Sequence, residues 1–167
     1  MAFFCTLNYS QVKYTRLTKE QLEELHPEFI NFLATQSITA EEWKSIKEEK
    51  PAVAEEQLDV FSDLIWEGVL QRVEFLEKIE PLQMHLFSMA EKEMRLISVR
   101  LRQPEIDLTT QEGFQWFKKN YLADSVEYLT ASKSYGEDPK VDIFGLIQQG
   151  AVITKGDLFN WFDEIIQ

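Results

Sequence analysis

Pro51 to Ile79, PAVAEEQLDVFSDLIWEGVLQRVEFLEKI, decides the fold, because it carries an apolar helix and then changes period into a strand. At 100° per residue, Ala54, Leu58, Phe61, Leu64, Ile65 and Val69 fall on one side and Glu56, Asp59, Asp63 and Glu67 on the other. The spacing predicts a core helix with an acidic back. Pro51 suits the first turn, where a missing N–H costs nothing, and Gly68 is placed to end the helix in a left-handed conformation.

Upstream, Thr18 with Gln21 and Thr39 with Glu42 have capping-box spacing. Leu22, Leu25, Phe29, Phe32 and Leu33 form a buried stripe, and Pro27 interrupts it, so a kink or two short helices are expected there. Downstream, residues 72–79, 83–90 and 94–101 read as strands. Their short connections favour an antiparallel meander, because parallel strands need a long crossover.

Thr109 and Glu112 open a further helix with Phe114, Phe117 and Tyr121 on one face. Residues 124–135 fit helical spacing through Val126 and Leu129 and strand alternation through Val126, Tyr128 and Thr130; the reading leans to a short helix. Asp138-Pro139 starts a helix that stops at Gly150, and Thr154 with Asp157 caps the last one. The expected fold is α+β: N-terminal helices, a three-stranded antiparallel meander, then C-terminal helices. Residues 12–167 read as one domain, and the nearly chargeless residues 1–11 as a surplus N-terminal extension.

The 29 acids against 17 bases leave a net charge of −12. That disfavours general nucleic-acid binding, which draws its affinity from clustered Lys and Arg, and favours a basic protein partner. A single cysteine, Cys5, excludes an internal disulfide framework and fits a reducing compartment. No apolar run approaches the roughly 20 residues of a membrane span, and the opening MAFFCTLNYSQ has no basic leader, so a cytoplasmic location is expected.

VKYTRLTKEQLEELHPEFINFLATQSITAEEW from Val12, LDVFSDLIWEGVL from Leu58, EIDLTTQEGFQWF from Glu105 and IQQGAVITKGDLF from Ile147 resemble an uncharacterised family of small bacterial proteins. The resemblance runs over most of residues 12–166 and implies no established activity. It also implies a natural start at Val12, where the members carry Met.

No residue earns a catalytic role, and no cofactor or metal is expected. The carboxylates Asp59, Asp63 and Glu67 read either as a solvated helix face or as a cation or partner site. His26 lies three residues after Glu23, but neither it nor His85 has the further ligands that a metal needs. Gly150 to Gly156 lacks the residue order of a phosphate loop and reads as a capping turn. Arg100 and Arg102, in a stretch without acids, are candidate contacts for an anion or an acidic partner, or balance nearby carboxylates. Trp161 is either a binding anchor or a core residue.

The preferred expectation is therefore a non-catalytic acidic protein-interaction module that binds a basic protein surface, with Asp59, Asp63, Glu67, Trp161, Arg100 and Arg102 as candidate contacts. The alternative is an enzyme or small-ligand binder with a pocket between the meander and the C-terminal helices.

Overall fold

A computed structural model describes residues 12–167. The expectations for residues 1–11 and Cys5 lie outside this range. The chain falls into two compact units, divided between Val69 and Leu70.

The first unit holds α1 (Lys19–Glu24), α2 (His26–Thr35), α3 (Ala40–Glu49) and all but the last residue of α4 (Pro51–Leu70). Both capping boxes form: Thr18 Oγ1 accepts from Gln21 N at 3.2 Å, and Thr39 Oγ1 accepts from Glu42 N at 3.2 Å. Pro27 sits at the start of α2, just after the break between α1 and α2. Phe61 of α4, 1% exposed, packs edge-on to Phe29 at 5.0 Å and near Phe32 at 5.5 Å. Leu17 and Leu33 complete this aromatic core.

Two details of α4 differ from the expected wheel. Gly68 does not end the helix, which runs on to Leu70, a residue buried to 1% exposure. Burial of that side chain outweighs the roughly 1 kcal/mol cost of a helical glycine. The inward arc is also narrower than expected: Leu64 is 56% exposed and Val69 is exposed too, whereas Ser62 is buried.

The second unit is built on an antiparallel sheet of five strands in the order β4-β3-β2-β1-β5, not a three-stranded meander. The strands are β1 (Phe75–Glu80), β2 (Gln83–Met89), β3 (Glu93–Leu101), β4 (Val126–Ser134) and β5 (Val152–Thr154). The expected short helix at 124–135 is thus β4, paired with β3 along nine residues from Val126↔Leu101 to Ser134↔Glu93. Local spacing allowed either form, and the pairing decides for the strand. β5 lies where a capping turn was expected. It pairs with β1 through Ile153↔Leu76, between two glycines of positive φ, Gly150 and Gly156.

Met84 and Leu86 of β2 lie opposite Val99 and Ile97 of β3, and these side chains share the core with Phe117 of α5 (Gln111–Asn120) and with Phe159 and Phe162 of α7 (Asp157–Ile166). Thr110, rather than Thr109, caps α5 by accepting from Gly113 N at 3.0 Å. Asp138 caps α6 (Pro139–Gln148) as expected, accepting from Lys140 N at 3.0 Å. α7 has Gly156 at its N-cap instead of Thr154, with φ at 84° and no room for a side chain: a Cβ there would lie 2.4 Å from the Phe75 ring.

Candidate functional site

The carboxylates on the back of α4 are occupied by the chain itself. Residues 13–17 run along the helix as a strap that bends at Lys13 and Tyr14. Asp63 accepts two main-chain N–H groups, from Lys13 at 2.8 Å and Tyr14 at 3.0 Å, one to each carboxylate oxygen. One turn on, Glu67 Oε1 accepts from Lys13 Nζ at 2.6 Å and from the Tyr14 hydroxyl at 2.8 Å. One turn back, Asp59 accepts from Arg16 Nε at 2.6 Å, and the same guanidinium bridges to the Glu55 carboxylate. Helical spacing of four residues puts Glu55, Asp59, Asp63 and Glu67 in one ladder, and the strap lays its cations against it.

Apolar and neutral groups lock the same contact. Tyr14 and Leu17 are buried, Leu17 N donates to Ser62 Oγ at 3.1 Å, and Trp66 Nε1 donates to Thr15 O at 3.1 Å. Burial and the Glu67 carboxylate raise the Tyr14 hydroxyl above its usual pKa, so it stays a donor at neutral pH. The hydrogen bonds that Arg16 donates to Asp59 and Glu55 raise the pKa of its guanidinium. Asp59, Asp63 and Glu67 are therefore partly covered, not the solvated face of an ordinary amphipathic helix.

The candidates of the second unit lie on both faces of the sheet. Arg100 and Glu127 are paired across β3 and β4, and Arg102 bridges to the Glu127 carboxylate, whose pKa this holds below the usual value. Arg100 has no hydrogen bond or ion pair among the described residues and lines an open hollow of about 580 Å³ with Gln83, Ser98, Glu127, Tyr128 and Leu129. His85 stands in register between Lys78 and Ser98, beside that hollow. His26 is exposed at the start of α2. Among the described residues no three His, Cys, Asp or Glu side chains gather in a cluster that could hold a metal.

Trp161 is half-buried at 38% exposure, its ring 4.8 Å from Tyr121 and 4.7 Å from Phe162. One edge of the ring packs and the other meets solvent. The space between the sheet and helices α5 and α7 is filled by Phe117 and Phe162, so the hollow lies elsewhere.

Two arrangements were not anticipated from the sequence. Arg95 donates to both oxygens of Asp163, at 3.1 and 2.5 Å, clasping β3 to α7, and lowers the pKa of that carboxyl. The strap could have been suspected from Lys13 and Arg16 alternating with the buried Tyr14 and Leu17, ahead of a helix with acids at every turn.

No described helix is long and apolar enough to cross a membrane. No curated protein and no solved structure matches the chain. The model of DUF6495, a family of unknown function, matches residues 12–167, and the chain belongs to that family.

Proposed function

We propose that this protein is a non-catalytic acidic interaction module that docks a basic protein surface within a larger complex. The supporting observation is the charge of the first unit: between Val12 and Val69 the sequence carries 13 acids against 6 bases. Lys13 and Arg16 are already committed to α4. The carboxylates left facing water, among them Glu48 and Glu49 on α3 and Glu56 on α4, give that unit a negative field for a basic partner.

Asp59, Asp63 and Glu67 contribute to the field while holding the strap. Their reversal would test the fold as much as the docking. The clean perturbation is Glu48→Lys, Glu49→Lys and Glu56→Lys together, since all three are exposed. A partner isolated with the full chain and then purified should associate more slowly with this variant and more slowly as salt rises, because at 0.15 M the field already reaches only about 8 Å. Association indifferent to both would overturn the electrostatic reading. In that case the hollow beside Arg100 becomes the better place to look, with small anionic ligands as the probes.

A further inference from the structure

β4 is an edge strand, and its outer side is open among the described residues. It is nine residues long, contains no proline, and from Leu129 to Ser134 every residue is exposed, Leu129 at 62%. The opposite edge, β5, has only three residues. Long, straight edges invite pairing, and proteins ordinarily blunt them.

The hydrogen-bond phase shows which groups are available. Arg102 N donates to Ser125 O at 2.9 Å, just past the end of the β3–β4 ladder. On the other side of β3, Leu101 N donates to Leu82 O at 2.8 Å, and Ala90 N donates to Glu93 O at 3.1 Å. Bonded and non-bonded pairs alternate along an antiparallel ladder, so the even-numbered residues of β3 bond to β4 through Glu127, Leu129, Ala131 and Lys133. The main-chain groups of Tyr128, Thr130, Ser132 and Ser134 then point outward, whereas at the start of the strand Val126 N already donates to Ala123 O at 3.0 Å.

We infer that this edge pairs with β4 of a second copy of the chain, antiparallel about a two-fold axis at Thr130, so that two sheets join into one. In that register Thr130 meets Thr130 and Tyr128 meets Ser132, and Ser134 N meets the carbonyl of Val126, whose own N–H stays on Ala123 O, so each free outward-facing donor finds an acceptor. The side chains of the other set match as well. Glu127 falls opposite Lys133, and Leu129 falls opposite Ala131, twice each by symmetry. A two-fold axis at Tyr128 would set Glu127 against Leu129, and one at Ser132 would set Lys133 against Ala131. Only the Thr130 register uses the whole strand and opposes unlike charges. The interface is isologous, and its recognition element is the sequence VEYLTASKS itself.

The test is the mass of the full chain in solution, by light scattering and sedimentation over a concentration series. The expected result is a species of twice the 19.6 kDa of one chain. Thr130→Pro removes the central outward N–H without touching a β3–β4 bond, and proline is tolerated at a strand edge, so the dimer should be lost with the circular dichroism unchanged. Two charge variants avoid the backbone altogether. Lys133→Glu alone and Glu127→Lys alone oppose like charges across the axis, and each should weaken dimerisation about tenfold. Mixed, they oppose unlike charges again and should form a heterodimer. A wild-type chain that stays monomeric up to its solubility limit would overturn the inference. So would a dimer that Thr130→Pro leaves intact, or charge variants that fail to recover on mixing.

Discussion

Asp63 is the side chain on which the strap depends most directly. Each of its two oxygens takes one main-chain N–H of the strap, so Asp63→Ala strands two donors at once. A hydrogen bond to a charged group contributes about 1.5–3 kcal/mol when sheltered. Lys13 N is exposed and water will replace its partner, whereas Tyr14 N is partly buried. The sheltered bond therefore dominates, and the expected loss is about 1–3 kcal/mol. Asp63→Asn keeps one acceptor oxygen and should fall between. Two assays together localise the effect. Urea unfolding gives the loss of stability, and brief trypsin digestion reports the strap itself, because cleavage after Lys13 or Arg16 requires the segment to leave α4. The variant should be cut there faster than wild type. Unchanged unfolding midpoints together with unchanged cleavage rates would show that the strap is held by Tyr14 and Leu17 alone and that the carboxylate is incidental.

Phe61→Ala removes a ring that touches Phe29 and Phe32 in a closed core and should cost about 3–5 kcal/mol in denaturant melts. Gly113→Ala would place a Cβ 1.8 Å from Asp107 O, a clash with backbone that only a shift of the α5 entry relieves, so the loss should reach or exceed the roughly 1–3 kcal/mol typical of overpacking. Asp163 has its pKa lowered by Arg95, so this pair stabilises the fold above the unfolded carboxylate value and the effect is lost as pH falls through the folded one. Arg95 is 42% exposed, which limits the pair to within about 1 kcal/mol, and melts of Asp163→Asn should differ from wild type at neutral pH and converge in acid. Glu77 has the opposite sign: burial raises its pKa despite a hydrogen bond with Thr154, so its charge costs stability above the folded value, and Glu77→Gln should melt higher at pH 7 than wild type.

Many features set by three or four neighbouring residues were legible in the sequence, although the cap of α5 lies at Thr110 rather than Thr109, that of α7 at Gly156 rather than Thr154, and Gly68 does not end α4. The capping boxes at Thr18 and Thr39, the Asp138-Pro139 start and the break at Pro27 depend on local hydrogen bonds and on proline geometry, and each formed where the spacing placed it. β4 and β5 depend on partners far along the chain. In β4, Val126 and Leu129 satisfy a helix as well as Val126, Tyr128 and Thr130 satisfy a strand, and only the bonding to β3 separates the two. β5 is three residues long, too short for any period to show.

The acidic back of α4 shows the same limit in the candidate site. Helical spacing correctly gathered Asp59, Asp63 and Glu67 on one side, yet a wheel treats everything beyond the polar side as water. Here that space is filled by residues 13–17, nearly fifty positions upstream of Asp63, with a cation or an N–H for each carboxylate. The strap explains why a helix with so many acids on one side tolerates them: Lys13 and Arg16 offset the repulsion that stacked carboxylates four residues apart would otherwise exert. The carboxylates of this unit that stay fully exposed include Glu48 and Glu49 of α3 and Glu56 of α4. Under the proposed docking, a basic partner could reach Asp59 and Asp63 only by displacing a segment whose Tyr14 and Leu17 are buried.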